Sequence, residues 1–343
     1  MKILHITEAW KGGISTYVKM LIEHQVQSGH NVYLAVSRDA EELPNCNVIK
    51  YTSSRSVIGV IRASHEISRI YNSLTPDIIH AHSTFSGIYA RFKKSSFKLI
   101  YTPHAWSFLK KDSPYISRKI YSLIERTLSR RTSIITCMSL EEIEEAIIRG
   151  IPKEKLRLIY TGVPKLDITL NPVRTSGAIK IGFFGRLDYQ KGFDILLSAA
   201  KNLAPHIQIH IFGEAVRGGV PSSPHDRFQY HGWIEQKQVS SAMQEMDIIL
   251  IPSRWEGFAL TPLEAMRAGR GVIISKSSSL PETVISGFNG IILEDLSPHT
   301  LSSVLNSLTR ETCHKLSINA KKVFDETFTA TKFLEQLDEA YKF

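Results

Sequence analysis

Short runs rich in isoleucine, valine and leucine alternate along this chain with longer amphipathic segments, and the alternation starts again after residue 178. This pattern is typical of parallel strands joined by crossover helices, so it predicts an α/β chain. In the first half, the predicted strands are Lys2–Ile6, Val32–Val36, Val48–Tyr51, Asp77–His80, Lys98–Thr102, Ser133–Cys137 and Leu156–Tyr160. In the second half, they are Ile179–Phe184, Ile207–Phe212, Ile248–Ile251 and Val272–Ser275, and helices begin near Lys191, Gln236, Thr261 and Pro281.

The length of 343 residues favours two domains, because single hydrophobic cores stop growing near about 250 to 300 residues. We predict a first domain over residues 1–165, a linker over 166–178 and a second domain over 179–325. A C-terminal helix over 326–343 is expected to return to the first domain. Both domains should be doubly wound and Rossmann-like, facing each other across a cleft with ligands at the carboxyl ends of the strands.

The sequence shows neither a signal-peptide pattern nor an apolar run of about 18 or more residues, so we expect a cytoplasmic protein without a membrane span. Its three cysteines lie far apart, with no CxxC pair and no histidine at metal-ligand spacing. We therefore expect reduced thiols, no disulfide and no bound metal.

The positive charge is concentrated in one segment. Between Arg91 and Arg131, eleven basic residues face two acidic ones, a balance of +9 that equals the net charge of the whole chain. Such a cluster indicates an anionic partner, either a nucleic acid or an anionic membrane. The cluster lacks the interleaved aromatic platform of nucleic-acid binders, which disfavours the first of these partners.

The segment Pro252–Met266 follows directly on a predicted strand and carries two carboxylates. Glu256 lies on a loop with Gly257 and Phe258, where it can face a sugar hydroxyl. Glu264 lies in the first turns of a helix, where it can bind a vicinal diol such as a ribose. The backbone amides of Leu260 and Thr261 at the helix start favour a phosphate. Most pairs of glutamates are solvated surface charges, and this remains the alternative.

This segment resembles the signature of the retaining glycosyltransferases of family four, which have the GT-B fold. That family includes sucrose synthases and bacterial transferases of cell-surface polysaccharides. The resemblance covers nearly the whole chain. It implies that Glu256 contacts hydroxyls of the donor sugar and that Glu264 contacts the ribose.

The segment Phe184–Gly192, at the end of the second half's first strand, is similar to the Gly-Arg-Leu-x-x-x-Lys-Gly motif of the same family. The resemblance places Arg186 and Lys191 on the donor diphosphate. Two fixed cations can neutralise the charge of a leaving diphosphate without a metal ion. The alternative is that both side chains are merely exposed to water.

Two features of the first half complete the predicted site. Gly12 and Gly13 precede a helix, and paired glycines allow a backbone to approach a phosphate or sugar closely, although they also occur in plain turns. The resemblance places this loop against the donor. His104 follows a strand, and the resemblance places it beside the sugar, whereas a lone histidine is more often structural.

These observations predict a retaining, metal-independent hexosyl- or N-acetylhexosaminyltransferase with no cofactor. A UDP-sugar is favoured because it is the commoner donor in the family. The expected acceptor is a glycan or a polyprenyl-diphosphate-linked sugar of a surface polysaccharide such as lipopolysaccharide. The alternatives are a GT-B nucleotide-sugar epimerase or phosphorylase and, from another class, a basic nucleic-acid-binding protein or a lectin-like protein without catalytic activity.

The charged segment also predicts where the acceptor is taken. From Pro114 to Arg131, apolar residues recur at helical spacing and should pack on the first sheet: Ile116, Ile120, Leu123, Ile124 and Leu128. The residues expected to contact an anionic membrane or the acceptor are Trp106, Lys110, Lys111, Arg118, Lys119 and Arg126. We expect peripheral attachment to the inner face of the plasma membrane. The alternative is an ordinary core helix with one solvated face.

Overall fold

The computed structural model describes residues 1–8, 10, 12–37, 43–110, 113–166, 170–172, 174–215 and 225–342. The chain divides into two compact units. The first is Met1–Thr161 together with Phe333–Phe343, and the second is Gly162–Lys332. Within the described ranges, no helix combines the length and the apolar character that crossing a bilayer requires.

The first unit contains a seven-stranded, all-parallel sheet with the order β3-β2-β1-β4-β5-β6-β7. Its strands are β1 (Lys2–Thr7), β2 (Asn31–Val36), β3 (Cys46–Lys50), β4 (Ile78–His82), β5 (Lys98–Thr102), β6 (Ile134–Cys137) and β7 (Leu156–Leu158). Its helices are α1 (Gly12–Gln27), α2 (Val57–Leu74), α3 (Thr84–Arg91), α4 (Tyr115–Ser129) and α5 (Leu140–Ile148).

The second unit contains a six-stranded, all-parallel sheet with the order β10-β9-β8-β11-β12-β13. Its strands are β8 (Ile179–Phe184), β9 (Ile207–Phe212), β10 (Phe228–Gly232), β11 (Ile248–Ile251), β12 (Gly271–Ser275) and β13 (Gly290–Leu293). The helices that follow β8 are α6 (Phe193–Ala199), α7 (Gln236–Gln244), α8 (Thr261–Arg267), α9 (Pro298–Asn306), α10 (Arg310–Thr327) and α11 (Ala330–Lys342).

The predicted class, two doubly wound α/β sheets, is confirmed. The central strands are near-continuous apolar runs because helices cover both faces of each parallel sheet. In β1, for example, Ile3, Leu4 and Ile6 have no exposed surface. In each sheet the strand order reverses once, between β1 and β4 in the first unit and between β8 and β11 in the second.

Three local predictions need correction. The prediction misses strands β10 and β13, because polar residues interrupt the apolar pattern of β10 and β13 has only three apolar residues. The helix expected near Pro281 is a single 3-10 turn over Leu280–Thr283. The segment 326–343 is not one helix, since α10 extends to Thr327 and α11 begins at Ala330.

Candidate functional site

The chemistry-bearing residues of the second unit lie at the point where its strand order reverses. Arg186 and Lys191 follow β8, and Glu256 follows β11, the strand hydrogen-bonded to β8. Glu264 lies one turn into α8, the next helix. In open α/β sheets, ligands bind in the crevice outside the carboxyl ends of the strands at such a reversal. The topology therefore places all four side chains near the carboxyl ends of neighbouring strands of one sheet.

A hydrogen-bonded ion pair joins two of these residues. The Nζ atom of Lys191 lies 2.6 Å from Oε1 of Glu256, and the side chains are 19% and 9% exposed. The hydroxyl of Ser253 donates to the same oxygen at 2.6 Å, and the amide of Glu256 donates to Ser278 Oγ at 3.3 Å. Charged hydrogen bonds in partly buried positions are stronger than those in water. The pair therefore holds the Glu256 loop against the Lys191 loop.

The close approach of these two loops depends on Gly192. Its φ of +71° is in the left-handed region, and a Cβ atom there would stand 2.0 Å from the carbonyl oxygen of Pro252. A larger residue would force the loops apart. Gln190 adds a second link, since its Nε2 donates to the carbonyl oxygen of Trp255 at 3.1 Å. The sequence motif contains this glycine, but its contact with Pro252 depends on the tertiary fold.

Arg186 is held by residues of its own loop. Its Nη2 donates to Gln190 Oε1 at 2.7 Å, and its Nη1 lies 3.3 Å from Asp188 Oδ2. Asp188 also accepts a hydrogen bond from the amide of Lys191 at 2.9 Å. The guanidinium has five N–H donors, and its side chain is 43% exposed, so it can bind an anionic ligand while its orientation is maintained.

Glu264 is partly enclosed. Gln236 Nε2 donates to its Oε1 at 2.9 Å, and burial raises the pKa of the Glu264 carboxyl above its ordinary value. The loop that precedes α8 is held by contacts within the second unit. Leu260 and Thr261 lie at the start of α8. Ser279 Oγ, in the turn after β12, donates to the carbonyl oxygen of Gly257 at 2.5 Å. The Phe258 ring lies 6.5 Å from that of Phe328.

The glycine pair predicted in the first unit lies at the start of α1. Gly12 is the first residue of this helix and has a φ of +63°, a conformation that favours glycine. A Cβ atom at Gly12 or Gly13 would meet nothing within 4 Å. The backbone at this point is therefore open to a close neighbour.

His104 lies in the loop after β5 in an unusual conformation. His104 and the following Ala105 both have positive φ angles, +52° and +73°. The carboxylate of Glu142 accepts hydrogen bonds from the amides of Ala105, at 2.9 Å, and Met138, at 2.8 Å. This buried carboxylate joins the ends of β5 and β6 and stabilises a backbone that would otherwise be strained.

Three buried histidines of the first unit lie close together. One ligand atom each of His5, His80 and His82 falls within 4.8 Å of the others, which is close enough to hold a metal ion. Their nitrogens already take part in hydrogen bonds, including one of 3.0 Å between His5 Nδ1 and His82 Nε2. The sequence indicates only part of this cluster. The spacing of His80 and His82 places both on one face of β4. His5 lies on the neighbouring strand β1, and its proximity to them is not apparent from sequence spacing.

The predicted contact of Trp106 with a membrane or acceptor is wrong. Trp106 is 1% exposed, its Nε1 donates to the backbone oxygen of Glu142 at 3.0 Å, and its ring stacks on Phe108. Burial of an indole is favourable when its N–H has a partner. Trp106 therefore belongs to the core of the first unit.

The apolar stripe of α4 also departs from the prediction. Three of its residues are exposed rather than packed on the sheet: Ile116 (72%), Ile120 (53%) and Leu123 (65%). Ile124 is half-buried and Leu128 is buried. The inward face carries Glu125, which is 1% exposed and pairs with Arg91.

Basic side chains accompany the exposed apolar ones. Lys119 and Arg126 are exposed on α4, Arg118 is half-buried, and Lys110 is exposed in the preceding loop. Lys111 lies outside the described residues. The Nζ atom of Lys119 stands 4.7 Å from the ring centre of Tyr115, which is itself 62% exposed. We call the set Tyr115, Ile116, Lys119, Ile120, Leu123 and Arg126 the α4 surface.

Comparisons with known proteins define the class. The profile of Glycosyltransferase Family 4 matches residues 11–165, and that of Glycosyl transferases group 1 matches residues 171–323. The chain is 30% identical to the uncharacterised 41.2 kDa protein in the cps region of Klebsiella pneumoniae, over 93% of this chain and 95% of that protein. It is 27% identical to the O-antigen biosynthesis glycosyltransferase WbnH of Escherichia coli, over 63% and 62% of the two chains.

Among solved structures, the Anabaena protein HepE in complex with UDP matches the fold with a TM-score of 0.83 and 18% identity, over 100% of both chains. The fold and the site thus define a GT-B glycosyltransferase. The chain belongs to glycosyltransferase family 4. The prediction of a glycosyltransferase is confirmed, and the epimerase, phosphorylase, nucleic-acid-binding and lectin-like alternatives are not favoured.

Proposed function

We propose that this glycosyltransferase moves a sugar from a UDP-sugar to a glycan or polyprenyl-diphosphate-linked acceptor, with retention at the anomeric carbon and without a metal ion. The observation that carries the proposal is the grouping of Arg186, Lys191, Glu256 and Glu264 where the strand order of the second unit reverses. The carboxyl end of this sheet suits a ligand with a diphosphate between two hydroxyl-bearing sugars, because cations and carboxylates lie side by side there.

The cations stabilise the leaving group. When the bond between the anomeric carbon and the diphosphate oxygen breaks, the electron pair stays on the diphosphate, whose negative charge grows. Arg186 and Lys191 are assigned to this charge, and each such contact is worth on the order of 4 kcal/mol at about 4 Å and an effective dielectric constant near 20, before desolvation.

The contact between Lys191 and Glu256 suggests how the site works before and after the donor binds. Without ligand, each charge neutralises the other at 2.6 Å. A bound diphosphate would give Lys191 a second anionic partner, while Glu256 would accept hydrogen bonds from sugar hydroxyls. Neither charge is left buried and unpaired with or without the donor. The free-energy cost of separating Lys191 from Glu256 when the donor binds is therefore low.

The remaining roles follow the family resemblance. Glu264 would accept hydrogen bonds from the ribose hydroxyls, and Leu260, Thr261, Gly257 and Phe258 would border the donor. The resemblance also assigns Gly12 and Gly13 to the donor and His104 to a sugar hydroxyl. UDP is favoured as the nucleotide because HepE, which shares the fold, is described in complex with UDP.

The acceptor is inferred from two observations. The relatives include a protein of a cps region and an O-antigen biosynthesis glycosyltransferase, which supports a role in surface polysaccharide synthesis. The α4 surface presents apolar and basic side chains together, a combination that suits the interface of an anionic membrane. We therefore place the enzyme at the cytoplasmic face of a membrane, where a lipid-linked acceptor would be available.

A screen for donor hydrolysis tests the reaction, since many transferases slowly hydrolyse their own donor when no acceptor is present. We expect one UDP-sugar to be hydrolysed by the wild type in EDTA and much more slowly by Glu256→Gln. NMR of the first-formed sugar should show the anomer of the donor. Inversion at the anomeric carbon, a requirement for Mn²⁺, or preference for another nucleotide would each contradict the corresponding part of the proposal.

A further inference from the structure

A continuous series of side-chain hydrogen bonds connects α1 to His104 within the first unit. His5 Nε2 lies 2.8 Å from Gln25 Oε1, and His5 Nδ1 lies 3.0 Å from His82 Nε2. The series continues from His82 Nδ1 to His104 Nε2 at 3.3 Å. Gln25, His5 and His82 are at most 1% exposed, whereas His104 is partly exposed at the end of the series. We call these four residues the histidine series.

Burial favours the neutral form of all three imidazoles. Burial lowers the pKa of His5 to about 4 and that of His104 to about 3, and it lowers the pKa of His82 well below its usual range. A neutral imidazole has one N–H donor and one bare nitrogen. Each histidine in the middle of the series must therefore donate on one side and accept on the other, so all three hydrogen bonds run in the same direction.

The amide of Gln25 selects that direction. Its oxygen faces His5 Nε2, which must therefore carry the proton. Gln25 also lowers the pKa of Tyr341, as an amide N–H directed at the phenol oxygen does, against the effect of burial, which raises it. The hydroxyl of Tyr341 in turn lies 2.5 Å from His80 Nδ1. The hydrogen bond with His5 and the electrostatic effect on Tyr341 both favour this orientation of the Gln25 amide.

We propose that Gln25, acting through His5 and His82, holds His104 in the neutral tautomer with the proton on Nε2 and a bare Nδ1. Gln25, His5 and His82 are positioning residues in this view. The bare Nδ1 makes no hydrogen bond to any described residue, and it accepts one from a substrate hydroxyl. This step rests on the proposed function, which assigns His104 to a sugar hydroxyl.

The backbone around His104 supports a positioned acceptor. The left-handed conformations of His104 and Ala105 are maintained by the hydrogen bond from the Ala105 amide to Glu142. The ring of Tyr17 meets that of His104 edge to face, with centroids 4.7 Å apart. The imidazole of His104 therefore has little freedom to rotate. Its backbone is fixed by Glu142, its ring contacts Tyr17, and its Nε2 is hydrogen-bonded to His82.

The tautomer can be read directly by NMR on protein with ¹⁵N-labelled histidine. The 13 histidines include His104, whose signals are assigned by their loss in His104→Asn. In the wild type, we expect a protonated Nε2 and a bare Nδ1. In Gln25→Met the acceptor is gone, and a buried N–H without a partner is costly, so the series should reverse and protonate Nδ1 of His104.

Two further variants separate the acceptor from general effects. Gln25→Glu retains an oxygen towards His5 and should keep the wild-type tautomer. Gln244→Leu removes another buried glutamine, in the second unit, and should also leave the tautomer unchanged. Donor hydrolysis should fall about tenfold in kcat/KM for Gln25→Met and stay near the wild-type value for Gln25→Glu.

Several results would overturn the proposal. These are a protonated Nδ1 in wild-type His104, a tautomer that Gln25→Met leaves unchanged, or stoichiometric zinc binding that shifts the signals of His5 and His82. The wild-type spectrum, assigned with His104→Asn, decides the tautomer even if Gln25→Met fails to fold. Absence of hydrolysis with every nucleotide sugar would count against the proposed function instead, and the NMR result would still stand.

Discussion

The guanidinium of Arg91 donates to the carboxylate of Glu125 at 2.8 Å, and neither side chain is more than 1% exposed. The Tyr101 hydroxyl donates to the other carboxylate oxygen at 2.9 Å, and the Arg91 guanidinium lies over the Tyr101 ring. Because α-helical residues are about 100° apart, Glu125 lies roughly opposite Ile116 and Leu123 on α4. This buried ion pair therefore turns the apolar stripe of α4 towards solvent.

Removing the charge of Glu125 should destabilise the first unit strongly. Glu125→Gln would leave Arg91 buried without an anion, and we expect a loss of about 3 to 5 kcal/mol in the free energy of unfolding. Urea unfolding followed by circular dichroism measures this change. The exposed Glu144→Gln on α5 serves as the control and should change stability by less than about 0.5 kcal/mol. A similar small change for both variants would show that the pair contributes little.

Membrane binding by the α4 surface should depend on both its charge and its apolar residues. We expect Lys119→Glu/Arg126→Glu and Ile116→Ser/Ile120→Ser/Leu123→Ser each to reduce co-sedimentation with vesicles that contain anionic lipid, at low salt. Each basic residue near such a surface contributes about 1 kcal/mol.

Two control variants carry the same types of substitution at exposed residues of the second unit. They are Lys201→Glu/Lys315→Glu for charge and Ile285→Ser/Ile318→Ser for apolar surface. Both should bind vesicles as the wild type does. An equal loss of vesicle binding in the charge control would indicate attraction by net charge alone. Absence of vesicle binding by the wild type would favour a water-borne acceptor.

Loss of either cation of the donor site should slow the chemical step. We expect Arg186→Ala and Lys191→Ala each to lower kcat by roughly 10² to 10³-fold, because we assign these groups to the charge that develops as the diphosphate leaves. Steady-state kinetics with the donor found in the hydrolysis screen measures the effect. Lys201→Ala, at an exposed position, should retain full activity. A change in KM alone would mean that the two cations bind the ground state and the transition state equally.

The two carboxylates should separate donor turnover from nucleotide binding. We expect Glu256→Gln to lower kcat while the affinity for UDP stays within about twofold, because Glu256 is assigned to the sugar. Glu264→Gln should weaken UDP binding by about 10-fold or more, since the charged hydrogen bond that we assign to the ribose would be lost. Isothermal titration with UDP distinguishes the two, with the exposed Glu294→Gln as control. Equal effects on UDP affinity would refute the division of roles.

Much of the fold could be predicted because strand-forming runs and helix patterns are local properties of the sequence. All seven strands of the first sheet overlap predicted ones, and four of the six strands of the second do so. The two that were missed lie at the edges of the second sheet, where short strands with a weak apolar pattern are stabilised by a neighbouring strand.

The candidate site could be predicted only in part from the sequence. The motifs single out Lys191 and Glu256, but the roles assigned to them placed the two on different parts of a ligand. Their 2.6 Å contact arises because β8 and β11 are neighbours where the strand order reverses. Ser253 and Asp188, which hold the pair in place, belong to residue types too common to be noticed in a single sequence.

The sequence by itself determined the α/β class, the family and the strand ends at which the motif residues stand, because these depend on periodicity and on short contiguous motifs. Only the tertiary structure decided which way α4 faces and that His5, His82 and His104 form one series. Helical spacing identifies an apolar stripe, but the side that becomes buried depends on partners such as Arg91, which lies 34 residues from Glu125 along the chain. Burial is a property of the whole packed unit, so it cannot be read from one helix alone.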